Sequence, residues 1–214
     1  MKLRLQTLSL LFMALFLSCE QDELNQESIE QNYFLVSEYN VDKNAQSRES
    51  LDDPCIVVDL IAGQNTVVGT VTIDRTETDL VLTYTTIEGW EINLTHMSIG
   101  DCNEQWAPET GSGNPKVGKF EHTEPHSTNI NEVVYRISLD VLPDYTDLYC
   151  FAAHAEVIGS NGGETAWAGS LLGENEDEQT EGYTVRDFDG RNWAMYIEAE
   201  QSACDIDDGG SNDR

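Results

Sequence analysis

The chain has 214 residues, with 40 Asp and Glu against 11 Lys and Arg, a formal net charge of −29. A surface of that sign repels phosphates, which excludes nucleic acid as a partner and direct adsorption to anionic lipid, since both draw on clustered Lys and Arg. It favours solubility and attracts cations weakly, calcium and cationic partners among them.

The N-terminus reads as a targeting segment. Met1-Lys2-Leu3-Arg4 is followed by an apolar run from Leu8 to Leu17, too short for a permanent membrane-spanning helix, and then by Ser18 and Cys19. This is the pattern of a lipoprotein signal peptide over residues 1–18, cut before Cys19 so that its thiol carries diacylglycerol and tethers the mature chain. Phe16 stands where a lipobox usually has Leu, with Leu15 and Leu17 on either side. Loss of Lys2 and Arg4 leaves nine basic residues against forty acidic ones, a charge of −31. Behind Cys19, Glu20-Gln21-Asp22-Glu23 resembles the acidic export signal of surface lipoproteins in Bacteroidota. That resemblance implies an outer-membrane address, lipid-anchored and facing the cell exterior; a solvated tether on the periplasmic face is the alternative.

Residues 19–54 are rich in Gln, Asn, Glu, Ser and Asp, and are expected to be a flexible tether. Tyr33-Phe34-Leu35-Val36 is an apolar island able to dock on the neighbouring domain. Residues 55–204 are expected to form that one domain, large enough for a single core. Residues 205–214 are expected to be a disordered acidic tail. Inside the domain the apolar period is two, which predicts strands over 55–62, 67–73, 80–86, 90–99, 133–139, 148–157 and 193–199, with a short eighth near 165–167. Each has one apolar face to cover, so the expected fold is all-β: a single antiparallel β-sandwich of seven or eight strands. Alternation puts Trp90, Ile92, Leu94 and His96 on one side of the fourth strand.

Four cysteines lie beyond Cys19, without CxxC or Cys/His zinc spacing, so two disulfides are expected in an oxidising compartment. Of three connectivities, Cys55 with Cys204 and Cys102 with Cys150 is favoured: the first pair brackets the domain and the second joins two strand ends.

No GxSxG, HExxH, P-loop or GxGxxG occurs, so no enzyme activity is expected. His122 and His126 have zincin spacing, but Pro125 breaks the helix that would align them. His96 and His154 lie in strands, and with Glu156 or Glu164 would make a metal or acid–base site; a structural role for each histidine is the alternative. The connection 103–131 is long and mixes aromatic and polar residues. Trp106, with Phe120, His122 and His126, is its candidate sugar-binding surface, unless Trp106 and Phe120 pack the loop onto the sheet. Asp187, Asp189 and Asn192, with the run Glu174-Asn-Glu176-Asp177-Glu178, are weak calcium candidates, since neither completes an EF-hand loop.

Several pieces are shared with a known family: Ala62-Gly63-Gln64, Gly69-Thr-Val-Thr, Leu82-Thr-Tyr-Thr-Thr, Gly89-Trp90 and Thr95-His96, then Gly113-Asn-Pro, Gly118-Lys-Phe120, Ala152-Ala-His154-Ala, Glu164-Thr-Ala-Trp167 and Asn192-Trp-Ala-Met-Tyr196. Together they resemble an uncharacterised secreted β-domain of Bacteroidota and other bacteria, found in large surface proteins. The resemblance implies an extracellular domain over residues 55–204 and marks His96, His154, Glu164 and Trp167 as matching positions; it implies no chemistry. The expected function is a cell-surface binding or adhesion module for glycan or another extracellular polymer or surface protein, with calcium as its candidate ion. A hydrolase using His154 with Glu164 or Glu156, and a ligand-free envelope component, are the alternatives.

Overall fold

The computed structural model describes residues 34–40, 54–144, 148–171 and 182–204. The expected signal segment, Cys19, the rest of the expected tether, the acidic run at 174–178 and the expected acidic tail lie outside them. Among the described residues there are eleven strands: β1 (Phe34–Tyr39), β2 (Ile56–Ala62), β3 (Thr66–Arg75), β4 (Asp79–Thr86), β5 (Glu91–Asp101), β6 (His122–Pro125), β7 (Glu132–Ser138), β8 (Leu148–Gly159), β9 (Gly162–Gly169), β10 (Tyr183–Asp187) and β11 (Met195–Glu200).

Short turns set the antiparallel order. The β2–β3 turn uses Gly63 and Gln64 at positive φ, the β4–β5 turn uses Gly89 at φ +87°, and Ser160-Asn161 joins β8 to β9. All strands join one sheet, in the order β1-β7-β4-β3-β2-β9-β8-β11-β10, with β5 on the other side of β8 and β6 beyond it. β8 is long enough to branch the sheet. Its first residues pair with β11, Phe151 opposite Ile197, and its last with β9, His154 opposite Trp167.

The expected two-sheet sandwich of seven or eight strands is therefore corrected: the apolar faces are covered by curling one sheet into a half-barrel. Inside lie Leu82, Tyr84, Tyr135, Met97, Phe151 and Val71, all fully buried. Its two ends, β1 and β6, meet through side chains, with the Phe34 and His122 rings 3.9 Å apart. The branch is tied back to β2 by the Tyr183 hydroxyl, which donates to the Val57 carbonyl at 3.1 Å, and by the Cys55–Cys204 disulfide, Cα–Cα 5.1 Å.

Three expectations change with this architecture. The island in the tether is strand β1, paired to β7 from Phe34 opposite Ile137 to Tyr39 opposite Glu132; half-buried Phe34 and Val36 give it enough apolar contact to order. The long connection contains β6, whose His-Thr-Glu-Pro sequence is too polar to predict as strand and which pairs with β5 from Leu94 opposite Pro125 to Met97 opposite His122. In β5 the register shifts between Ile92 and Leu94. That bulge at Asn93 turns Ile92 inward and Leu94 and His96 outward, so His96 does not share a face with Ile92.

Candidate functional site: the covered outer face

The outer face of β5 and β8 has a floor of small residues, with Ser98 opposite Ala152 and Gly100 opposite Cys150. Trp106 lies on it. A Cβ at Gly100 would stand 3.0 Å from the Trp106 Cβ, and Ser98 Oγ donates to the Trp106 carbonyl at 2.7 Å. The Cys102–Cys150 disulfide, Cα–Cα 5.0 Å, fastens the start of this loop to β8, which is the connectivity expected. From there residues 103–121 run over the sheet as a cover.

The aromatic side chains beneath and beside the cover form one cluster. Trp106 stands 5.2 Å from Tyr196 of β11 and 5.8 Å from Phe188, ring centre to ring centre. Phe188 reaches Trp167 at 6.2 Å, and Phe120 reaches Trp167 at 6.3 Å. Phe120, Trp167 and Phe188 are buried, so they pack; Trp106 and Tyr196 are half-buried. Beside Tyr196, Arg186 Nε meets Glu198 Oε2 at 2.8 Å, placing a fixed donor–acceptor pair at the edge of the two rings.

The loop bearing Asp187, Asp189 and Asn192 braces this cluster. Asn114 Oδ1 accepts from the backbone N–H groups of Arg191 at 2.9 Å and Asn192 at 3.1 Å. Gly113, at φ +78°, packs so closely that a Cβ would lie 2.8 Å from Asp189 Cβ. The loop's centre is thus closed by a protein carbonyl taking amide hydrogens, whereas calcium needs six to eight converging oxygens. Asp189 and Asn192 are exposed, and Asp187 is exposed with a partner of its own. Among the described residues the one set of three His, Cys, Asp or Glu ligand atoms within 4.8 Å of one another is Cys102, Cys150 and Glu198; its sulfurs are bonded to each other and offer no thiolate.

Two of the four histidines meet on the same outer face. His96 and His154 are directly opposed across β5 and β8, ring centres 5.2 Å apart. Burial pushes His154 down to about 3, helped by His96. Burial lowers His96 as well, and nearby Glu156 works against it. Trp167 closes the other side of His154 edge-on at 4.8 Å. Glu156 shares the face of His154, but Glu164 pairs with Val157 and so projects to the opposite side. The pairing of His154 with Glu164 is therefore corrected by the strand's alternation.

His122 and His126 do not converge on a metal. His122 turns into the half-barrel against Phe34, where burial lowers its pKa. His126 bridges the seam instead: Nδ1 to Glu38 Oε1 at 2.9 Å, and Nε2 to Thr95 Oγ1 at 2.6 Å, with Thr95 Oγ1 to Tyr135 OH at 2.6 Å. The ring of His126 thus links the Glu38 carboxylate to the Thr95 hydroxyl, and Thr95 links on to the Tyr135 hydroxyl. Burial tends to raise the Glu38 pKa, but the hydrogen bonds from His126 and Ser127 outweigh it and hold it low. Burial pushes Tyr135 up to about 12. The order carboxylate–imidazole–hydroxyl is that of an acyl-transfer triad. Thr95 and Tyr135, however, are both 0 % exposed, so the chain serves as a buckle between β1, β5 and β7. Glu38, Thr95 and Tyr135 carry no sequence signal for this, being drawn from three distant strands.

Comparison with family models, with curated proteins and with solved structures finds no match to this chain.

Proposed function

We propose that this chain is an exported, lipid-anchored binding protein that takes a glycan or another extended extracellular polymer on the Trp106–Tyr196 platform. One observation carries the reading: two half-buried aromatic residues with rings 5.2 Å apart both pack on Phe188, in a region fastened by the Cys102–Cys150 disulfide and the Asn114 brace. Rings fixed in advance stack on pyranose faces without an ordering cost, and the Arg186–Glu198 pair offers hydrogen bonds to hydroxyls. The address rests on the signal-like segment ending at Cys19, the acidic residues behind it and the resemblance to secreted Bacteroidota domains; two disulfides fit an oxidising compartment. The partners on this reading are the outer membrane, through the anchor, and a surface or extracellular ligand, with nucleic acid excluded by charge.

A hydrolase is the competing reading, and the Glu38–His126–Thr95 order is the observation on its side. Thr95 has no exposed surface, so binding is preferred over catalysis.

A glycan and polymer binding screen on the oxidised chain tests the proposal. Binding that is lost in both Trp106→Ala and Tyr196→Ala, with circular dichroism unchanged, is the expected result. Binding that is indifferent to both substitutions, or turnover abolished by His126→Ala, overturns it.

A further inference from the structure

We propose that His96 and His154 form a cross-strand site for a borderline divalent cation of the zinc class, closed by the carboxylate of Glu156. The site is separate from the aromatic platform.

Register makes the bite. The two histidines are direct partners on neighbouring antiparallel strands, with ring centres 5.2 Å apart. Two imidazoles on a tetrahedral zinc, each nitrogen about 2.0–2.1 Å from the ion, hold their ring centres roughly 5 Å apart. No backbone movement is required to reach that spacing.

The hydrogen bonds prepare the ligand atoms. Thr123 Oγ1 lies 3.0 Å from His96 Nδ1 and holds the ring in place. In the tautomer where Nδ1–H donates to Thr123, Nε2 keeps a bare lone pair for an ion, the arrangement that partners of metal-bound histidines provide. His154 is 5 % exposed, and its Nδ1 is buried with no hydrogen-bond partner. An unpaired buried nitrogen is costly unless something occupies its lone pair. Both rings are kept neutral by burial, the form that binds metal.

Glu156 supplies the remaining charge. It follows His154 by two residues on the same face of β8 and is exposed, and it is near enough to His96 to oppose the effect of burial there. Its side chain must rotate inward to complete the shell, which leaves the site open to solvent on that side and gives the ion its path in. Two nitrogens and one carboxylate suit zinc or copper and not calcium, which prefers oxygen throughout.

The test uses the full oxidised chain, stripped with chelator, and zinc chloride alone as the probe at near-neutral pH. Calorimetry is expected to give one zinc per chain, with a raised Tm; calcium chloride is expected to leave Tm unchanged. His96→Gln and His154→Gln each abolish the zinc effect, and Glu156→Gln weakens binding about 10- to 100-fold. Should a histidine variant fail to fold, the ring ¹⁵N resonances of the unaltered chain decide: zinc must shift those of His96 and His154. Unmoved resonances at saturating zinc, or binding that survives both histidine substitutions, overturn the proposal.

Discussion

Two walls of the half-barrel solve the same problem differently. In β3 and β4 the inward side chains are buried, while the middle of the outward face is made of half-exposed threonines, Thr70 opposite Thr85 and Thr72 opposite Thr83. Threonine suits that position because its branched stem fills the pleat and its hydroxyl meets water. In β5 and β8 every residue from Thr95 to Ile99 and from Tyr149 to Ala155 is buried. Their inner face meets the core, and their outer face meets the loop at 103–121. Covering from outside lets the second wall hold His96, His154 and Ser98 in low-dielectric surroundings, where their spacing is fixed. A single curled sheet thus has one wall that meets water directly and one wall that is covered.

The largest blow to this contrast is expected where the walls are bolted together. Replacing Cys55 and Cys204 by Ala together removes a closure spanning 149 residues, worth about 5 kcal/mol on chain-entropy grounds. The denaturation midpoint should fall accordingly; a change under about 1 kcal/mol would mean that the Tyr183 contact and the ladders already hold the branch.

Next comes the aromatic packing beside the second wall, where β9 adjoins β8. Trp167 is 4 % exposed and joins Phe120, Phe188 and His154, so Trp167→Ala should cost about 3–5 kcal/mol by urea or guanidinium denaturation. A loss below that range would show that the cover collapses into the cavity.

The histidines sharpen the contrast through pH. His154 titrates at about 3 when folded, against an ordinary 6.5. As pH falls, the unfolded chain takes up the proton first. The stability tied to its neutral form is complete above 6.5 and is lost as pH falls from 6.5 toward about 3. His154→Gln should flatten the stability–pH curve in that window, read by denaturant midpoints at several pH values; an unchanged slope would place the acid sensitivity elsewhere. The smallest effect belongs to the first wall, where Thr83→Val should shift stability by no more than about 0.5 kcal/mol. A larger loss in thermal melts would reveal a covering partner on the threonine face.

Much of the strand content is legible because β-branched and aromatic residues alternate in it, and the disulfide pairing follows from which cysteines bracket the domain. What escapes does so for physical reasons. β6 is His-Thr-Glu-Pro, with no propensity to be a strand; it is held in place by β5. β1 has two half-buried apolar residues facing the core, too few for periodicity to stand out from a polar tether. The face of His96 comes out inverted because alternation counts residues, and the bulge at Asn93 inserts one. Trp106 is recognisable as a binding candidate, but its partner Tyr196 reads only as part of a strand: nothing local says that a loop 90 residues upstream will lie beside it. The buckle of Glu38, His126, Thr95 and Tyr135 depends wholly on the curl of the sheet.

The bond between Cys55 and Cys204 also decides how the domain bears tension. A pull from the N-terminal side reaches β1 first, a six-residue strand laddered to β7 alone. Beyond β1, the next covalent cross-link among the described residues is at Cys55. From there the load divides between β2 and, across the sulfur bridge, the chain leaving β11. The strand that carries Tyr196 is thereby joined to Cys55 by covalent bonds, and load on that strand reaches the start of β2 without unzipping the sheet between them.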